Sequence, residues 1–271
     1  MKHSSLRPLK RFGQNFLVDP NIKRKIIAAV HPGMGDHILE IGPGDGALTL
    51  ELALASRRVY AVEIDKKRCA CLSSRAAEIP RLTLICADIL KFDLEDFLRR
   101  EKVDRVRVVS NLPYYITTPV VEYLFKRIDR IDDIFLTVQR EVAQRLTAKA
   151  GDPSYGSLSC FVDYYCEAAV LFAIAPACFR PKPKVDSAFI HFVPRRDRKE
   201  RLCLRSSEEE FFRLIRASFG QRRKTLRASL SRLLGRTFLG RLGEDNLLER
   251  RPQTVPVQEF ARLSNRIFGQ P

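Results

Sequence analysis

The chain has 271 residues, 45% of them hydrophobic, and its 48 Lys and Arg against 32 Asp and Glu give a formal net charge of +16. This length and apolar content suffice for one substantial core and a second small domain, which excludes an intrinsically disordered chain. No run approaches the ~18–20 consecutive apolar residues of a membrane-spanning helix, and the charge favours a polyanionic partner.

The basic charge is concentrated near the two ends of the chain. One group opens the sequence and comprises Lys2, Arg7, Lys10, Arg11, Lys23, Arg24 and Lys25. It contains no apolar stretch of the kind found in secretory signals, so no such signal is expected. The odd number of cysteines favours reduced thiols in a cytoplasmic protein. A second group, between Arg195 and Arg236, has 14 Lys or Arg and 5 Asp or Glu, which indicates a nucleic-acid partner. The spacing of the 7 Cys and 4 His matches neither a zinc site nor a disulfide framework, so no metal is expected.

Strand-like and helix-like segments alternate through the first two thirds of the chain. Strands are predicted over residues 37–42, 58–63, 82–87, 106–110 and 134–138, and helices over 21–30, 48–55, 66–78 and 119–127. This alternation predicts a parallel sheet with helices on both faces. Two later apolar runs, 166–175 and 185–194, are joined by a proline-rich link and are predicted to form an antiparallel pair that ends the sheet.

A glycine turn follows the first predicted strand in the sequence EIGPGDGALT. Gly42, Gly44 and Gly46 are spaced G-x-G-x-G, whereas a dinucleotide-binding turn has the pattern G-x-G-x-x-G. Glycines let the backbone approach a ligand closely, and the following helix offers free N–H groups. Such a turn alone is weak evidence for a binding site.

Two carboxylates end the next two predicted strands. Glu63 can accept hydrogen bonds from both hydroxyls of a ribose, and Asp88 can accept one from an adenine amino group or merely cap a helix. Together with the glycine turn, these residues predict a nucleoside pocket at the carboxyl ends of three strands. The glycine spacing and Asp88 favour S-adenosylmethionine over NAD. The single His in the second half of the chain, His191, lies within an apolar run and is expected to be structural.

The fourth strand ends in SNLPYYITTP. The side-chain carbonyl of Asn111 can accept a hydrogen bond from one N–H group of an adenine amine, and a backbone carbonyl at Leu112 or Pro113 can accept one from the other. The lone pair of the amine nitrogen is then free to attack a methyl group. Pro113 stiffens the turn, and Tyr114 can stack on a flipped-out base. In isolation such a tetrapeptide is better explained as a structural turn. Its position after Glu63 and Asp88 favours a catalytic role.

Beyond Arg195 the segment RRDRKERLCLRSS indicates a domain boundary, and apolar residues then recur at helical spacing. The predicted domains are a first domain over 1–196, which contains the nucleoside pocket, and a basic helical domain over 197–271 that would bind nucleic acid.

Six ordered motifs resemble the KsgA family of small-subunit ribosomal RNA adenine dimethyltransferases: FGQNFLVD, EIGPGDGALT, SNLPYYITTP, QREVAQRL, YGSLS and RPKPKVDSAF, with QRRKTLR continuing the likeness. The resemblance implies a Rossmann-like class I S-adenosylmethionine-dependent fold, a mainly parallel seven-stranded sheet with an antiparallel end strand, and a small C-terminal α-helical domain. It also implies dimethylation of two adjacent adenosines in the 3′-terminal hairpin loop of small-subunit ribosomal RNA. The partner would be the assembling small (30S) ribosomal subunit, and we expect a monomer.

The resemblance also assigns roles to residues of this chain. S-adenosylmethionine contacts are implied for Asn15, Leu17, Gly42, Glu63, Asp88 and Asn111, with Gln14 and Ile89 as neighbours. The catalytic corner would be Asn111, Leu112, Pro113 and Tyr114, with Phe179 stacking on the other face of the target base. Phosphate contacts are implied for Arg222, Arg223, Lys224 and Arg227. The chain departs from the family pattern at Lys182, where a further proline is expected.

Three alternatives stay open on the sequence: a large-subunit RNA methyltransferase of the antibiotic-resistance type, a non-catalytic RNA-binding or transcription factor, and an NAD-dependent dehydrogenase. YGSLS, RPKPKVDSAF and the long basic C-terminal region argue against the first. The intact glycine turn, Glu63, Asp88 and the Asn111 corner argue against the second.

Overall fold

A computed structural model describes residues 15–241, 243 and 245–269 of the chain. The predicted site residue Gln14 and the basic residues Lys2, Arg7, Lys10 and Arg11 lie outside this part. Nine strands are described: β1 (Phe16–Leu17), β2 (His37–Ile41), β3 (Arg58–Glu63), β4 (Leu82–Cys86), β5 (Val106–Asn111), β6 (Ile131–Gln139), β7 (Cys166–Ile174), β8 (Phe179–Arg180) and β9 (Ser187–Pro194).

The described α-helices are α1 (Pro20–Val30), α2 (Thr49–Ala55), α3 (Lys66–Ala77), α4 (Leu94–Glu101), α5 (Thr117–Phe125), α6 (Arg140–Thr147), α7 (Ser157–Tyr165), α8 (Arg198–Arg201), α9 (Glu208–Phe219), α10 (Leu226–Leu234), α11 (Arg236–Arg241), α12 (Asn246–Glu249) and α13 (Val257–Phe268). Within the described segments, no helix is both long and apolar enough to span a lipid bilayer.

Seven strands form one sheet in the order β4-β3-β2-β5-β6-β9-β7. The pairs β2–β3, β2–β5, β3–β4 and β5–β6 are parallel, whereas β9 is antiparallel to β6. The fold class predicted from sequence is confirmed. The antiparallel strand lies second from the edge, since β7 occupies the outermost position. The chain reverses its strand order after β4, and such a switch point places a ligand crevice at the carboxyl ends of β2 and β5.

The chain divides into two compact units. The first comprises Met1–Ala143 and Ala169–Pro194, and its described part contains the parallel strands and a core in which Ile38, Val59 and Val109 are fully buried. The central strands β2 and β3 are buried along almost their whole length, as expected for a sheet covered on both faces. A short antiparallel ribbon of β1 and β8 also belongs to this unit.

The second unit comprises Gln144–Ala168 and Arg195–Pro271. Its helix α9 begins with a capping box between Ser207 and Glu210 and packs against α7, α10 and α13. The apolar stripes at helical spacing therefore form helix-packing contacts, as predicted. The Tyr164 and Tyr165 hydroxyls donate to the Glu208 carboxylate, both at 2.8 Å, which explains why α7 groups with the C-terminal helices. The domain boundary between residues 196 and 197 remains a prediction, since these units divide the chain differently.

Candidate active site

A cavity of about 290 Å³ opens at the carboxyl ends of β2 to β5, within the first unit. Its walls include seven of the residues selected from sequence: Asn15, Leu17, Gly42, Glu63, Asp88, Asn111 and Pro113. Ile89, named as a neighbour, also lines it. The structure therefore brings the predicted cofactor contacts to one place, although they are spread over almost 100 positions of sequence.

The glycine turn forms one wall of the cavity. Gly42 and Gly44 have φ of +68° and +59°, the left-handed region that favours glycine. A side chain at Gly44 would meet the Phe16 ring at 2.8 Å. That ring lies 4.0 Å from the Arg68 guanidinium, which also forms an ion pair with Asp45. The absence of a Cβ at Gly44 thus allows the strand β1 to lie directly against the turn.

Glu63 ends β3 and is 3% exposed. Its carboxylate accepts hydrogen bonds from the backbone N–H groups of Gly44 at 3.1 Å and Asp65 at 2.9 Å. Burial raises the pKa of Glu63, and these two hydrogen bonds only partly oppose the shift. The hydrogen bonds hold the acid side chain at the cavity wall and connect it to the glycine turn.

Asp88 caps a short turn and also lies on the cavity wall. Its Oδ1 accepts from the Leu90 N–H at 3.0 Å and caps the short 3₁₀ turn Ile89–Lys91. The same residue lines the cavity one strand beyond Glu63. The capping bond fixes the side chain, and the carboxylate retains acceptor capacity for a ligand amine.

Glu40 is a cavity residue that sequence reasoning missed. It is the next-to-last residue of β2, is 3% exposed, and its Oε2 has no hydrogen-bond partner among the described residues. Burial raises the pKa of Glu40 to about 7; a contact with Thr49 opposes this shift, and the charge of Glu63 adds to it. The signal in the sequence was a single acid within the otherwise apolar strand Ile38-Leu39-Glu40-Ile41.

Asn111 is the last residue of β5 and is held by the segment before β1. Its Nδ2 donates to the main-chain carbonyl of Asn15 at 3.0 Å. This hydrogen bond fixes the orientation of the amide and leaves its Oδ1 as the atom that can accept from a ligand. The neighbouring Ser110 hydroxyl donates to the Ile41 carbonyl at 2.6 Å and ties β5 to β2 behind the cavity.

The residues that follow Asn111, from Leu112 to Tyr115, lie partly on the cavity wall and partly in the core. Pro113 lines the cavity, whereas Leu112 is 2% exposed and anchors the turn. Tyr114 is half-buried, and its hydroxyl is 2.7 Å from the Ser187 hydroxyl. Burial raises the pKa of Tyr114, and its hydrogen bond to Ser187 opposes this shift. Tyr115, which was not selected from sequence, lines the cavity.

Phe179 lies outside the cavity lining. Its ring is 1% exposed, and the residue pairs with Leu17 in the β1–β8 ribbon. It belongs to the same buried cluster as Ile26 and Phe189. Stacking of this ring on a base therefore stays a prediction, and it requires the ring to leave its buried position.

The four basic residues selected as phosphate contacts differ in their surroundings. Arg222 donates to the carbonyls of Pro153 and Tyr155, at 3.0 and 2.8 Å. Arg227 donates to Glu249 at 2.6 Å and to the carbonyl of Gly243 at 3.1 Å. Arg223 and Lys224 are exposed in the turn between α9 and α10. Two of these four side chains thus have structural hydrogen bonds within the second unit.

Comparison with known proteins relates this site to a chemistry. Residues 6–267 match the family described as ribosomal RNA adenine dimethylase. The chain belongs to this family. It is 42% identical over 260 residues to the ribosomal RNA small subunit methyltransferase A of Methylococcus capsulatus, covering 96% of this chain and 98% of that protein.

Two solved structures are similar to this chain in fold. A dimethyladenosine transferase from Plasmodium falciparum is 25% identical, with a TM-score of 0.76 and coverage of 92% of this chain and 95% of that one. The 23S rRNA methyltransferase ErmE, at 24% identity, shares the fold with a TM-score of 0.68 over 93% of this chain and 99% of its own.

The cofactor of the family is S-adenosylmethionine, and the residues of the cavity fit it. The glycine turn offers close backbone approach, and Glu63 and Asp88 offer carboxylate acceptors on neighbouring strands. The orphaned Oε2 of buried Glu40 provides a further acceptor at the β2 wall. These donors and acceptors match a ligand that carries a ribose, an adenine amine and a cationic amino acid.

Proposed function

We propose that this protein transfers methyl groups from S-adenosylmethionine to the exocyclic amines of two adjacent adenosines in the 3′-terminal hairpin loop of small-subunit ribosomal RNA. Its partner would be the assembling small ribosomal subunit, and it would act as a monomer in the cytoplasm. The observation that carries the proposal is the Asn111 side chain, held by Asn15 with its acceptor end available beside Pro113 at the cavity wall.

The adenine amine is a poor nucleophile because its lone pair is delocalised into the ring. When bound, S-adenosylmethionine supplies an electrophilic methyl group. Asn111 Oδ1 would accept a hydrogen bond from one N–H group of the amine, and a backbone carbonyl at Leu112 or Pro113 would accept one from the other. These two hydrogen bonds would favour a pyramidal nitrogen. The Asn15 carbonyl fixes the amide orientation, so little reorganisation is needed when the base arrives.

Positioning is the main contribution expected from the protein. Holding the amine in line with the methyl group converts an encounter between two molecules into a step within one complex. The methylated amine loses its proton readily, so no strong base is required. Tyr114 would stack on the target base, with its hydroxyl anchored to Ser187.

Affinity for the RNA would come from the basic residues of the second unit. Arg223 and Lys224 are exposed in one turn and can reach phosphates without breaking internal hydrogen bonds. Such contacts give affinity and register rather than base choice. Arg222 and Arg227 would serve mainly by holding the surrounding loops in place.

The test is methyl transfer from labelled S-adenosylmethionine to small ribosomal subunits from a strain that lacks the modification, followed by nuclease digestion and mass spectrometry. We expect dimethyladenosine at two neighbouring positions. Transfer to large-subunit RNA in place of small subunits would assign the protein to the resistance-type branch. Cofactor binding without transfer to either RNA would contradict the proposed substrate.

A further inference from the structure

Three large apolar side chains on the cavity wall are exposed. Ile64, Leu90 and Tyr115 have relative exposures of 46%, 40% and 57%, and all three line the cavity. Single exposed apolar residues are common on protein surfaces, but three around one concave site indicate a ligand that covers them.

Two of these side chains belong to residues close to the cavity acids in the chain. Leu90 donates its N–H to Asp88, and Ile64 directly follows Glu63. Tyr115 and Asp88 line the same cavity, and burial, followed by the negative charge of Asp88, raises the pKa of the Tyr115 phenol. The cavity therefore combines exposed apolar walls with the acidic acceptor of Asp88.

The adjacent tyrosines of the corner have different surroundings. The Tyr114 hydroxyl is hydrogen-bonded to the Ser187 hydroxyl, and Tyr114 is absent from the cavity lining. Tyr115 lies on the lining with more than half of its surface exposed. Both belong to the 3₁₀ turn Tyr114–Ile116, in which successive side chains point in different directions. One turn can therefore present one ring towards the RNA and the other towards the cofactor.

We propose that Tyr115 forms an aromatic wall of the purine subsite, packing against the adenine ring of S-adenosylmethionine opposite the aliphatic side chains of Ile64 and Leu90. This inference rests on the proposed function and adds a specificity-determining residue to it. A purine is a flat apolar ring with a polar edge, and it matches a slot of apolar walls closed by one carboxylate. By excluding water, the Tyr115 ring strengthens the hydrogen bond from the adenine amine to Asp88.

The test is calorimetric binding of two probes to wild-type protein, Tyr115→Ala and Tyr115→Phe. S-adenosylhomocysteine carries the whole cofactor skeleton, whereas 5′-methylthioadenosine keeps the adenosine and lacks the amino acid. We expect Tyr115→Ala to bind both probes about 5- to 100-fold more weakly, by a similar factor, and Tyr115→Phe to bind both nearly as wild type. Leu54→Ala is the matched control, since it truncates a 72%-exposed apolar side chain that is absent from the cavity lining.

Fluorescence provides a second readout, because the chain has 7 Tyr and no Trp. Covering of the Tyr115 ring by adenine should quench part of the tyrosine emission when either probe binds. Tyr115→Phe should retain the affinity and lose most of this quenching.

The results separate this inference from the proposed function. If wild-type protein binds neither probe, the proposed function itself fails. If the wild type binds both and Tyr115→Ala has unchanged affinities, the aromatic wall is refuted. A loss confined to S-adenosylhomocysteine would also refute it, because the contact would then lie at the amino-acid end.

Discussion

The side-chain amide of Asn111 donates to the backbone carbonyl of Asn15, 96 positions earlier in the chain, at 3.0 Å. The bond joins the end of β5 to the residue that precedes β1. It leaves Oδ1 of the amide able to accept from a ligand, and both Asn111 and Asn15 line the cavity. Under the proposed function, substrate orientation and closure of the cofactor cavity would depend on the same side chain.

Replacing Asn111 with Ala should abolish methyl transfer while leaving RNA binding nearly intact. Loss of one preorganised polar group at a reacting centre lowers turnover by about a hundredfold or more. The measurement is single-turnover methylation of small subunits, alongside a filter-binding assay with the same subunits. Asn111→Asp keeps a side-chain acceptor and loses the donor to Asn15, so it tests the orientation separately. Equal loss of binding and turnover in Asn111→Ala would contradict the assigned role.

Gly44→Ala should destabilise the protein and weaken cofactor binding. A Cβ at this position meets the Phe16 ring at 2.8 Å, and φ of +59° is strained for alanine by about 1–2 kcal/mol. Denaturant unfolding and calorimetry with S-adenosylhomocysteine measure the two effects. Adding Phe16→Leu to Gly44→Ala should relieve the clash and leave the backbone strain, so stability should recover only in part. Full recovery, or none, would show that only one of the two causes operates.

Glu40 should make stability depend on pH between about 4.5 and 7. Burial raises its pKa in the folded protein from 4.5 to about 7, so the native state binds a proton that the unfolded chain has already released. The contribution of this group to the free energy of unfolding is therefore retained below pH 4.5, falls as pH rises, and levels off above about 7. Glu40→Gln removes the titration and should raise stability relative to wild type at pH 8, by an amount of the order of 3 kcal/mol.

Urea unfolding of wild type and Glu40→Gln from pH 4.5 to 8.5 measures this difference. Glu259→Gln is a control, since that acid lies in the second unit and pairs with Arg250. A stability difference between wild type and Glu40→Gln that stays constant with pH would contradict the shifted pKa.

Arg222 and Arg223 are adjacent, and alanine substitutions at these positions should have different effects. Arg222→Ala removes hydrogen bonds to the carbonyls of Pro153 and Tyr155 and should lower the free energy of unfolding by about 1 kcal/mol. Arg223→Ala should leave stability unchanged, weaken binding to small subunits, and reduce the slope of log affinity against log salt by about 1. The double variant should show both effects. An unchanged slope in Arg223→Ala would remove this residue from the interface.

Local sequence patterns were sufficient to predict most of the sheet and the cofactor cavity. β3 runs from Arg58 to Glu63, as predicted, because β-branched and apolar residues there stop at an acid that faces a ligand crevice. Asp88 and Asn111 were recognisable because each lies at the carboxyl end of a strand-like run: Asp88 comes two residues after β4, and Asn111 is the last residue of β5. The sequence pattern could not predict that Tyr115 lines the cavity, because tertiary packing decides to which side of a short turn a ring points.

The basic residues show a second limit of sequence reasoning. QRRKTLR reads as a uniform cationic segment, yet Arg222 and Arg227 use their guanidinium groups on carbonyls that lie 67 and 16 positions away. Contacts over such separations depend on how the helices of the second unit pack, which charge counting does not describe. Glu40 was missed for a related reason, since its burial becomes evident only when β2 is flanked by β3 and β5.

Substitutions at Phe179 test whether this buried ring takes part in catalysis. The ring is 1% exposed, so Phe179→Ala should cost about 3–5 kcal/mol of stability, whereas Phe179→Leu keeps most of the volume and should cost less than about 1.5 kcal/mol. If the ring leaves the core to stack on the target base, Phe179→Leu should lower single-turnover methylation about tenfold, while S-adenosylhomocysteine affinity stays unchanged. Phe189→Leu is the matched control, because that ring is 0% exposed in the same cluster and is not expected to touch the base. Equal methylation by the two leucine variants would restrict Phe179 to packing, and the corner at Asn111 and Tyr114 would then hold the base without a second ring.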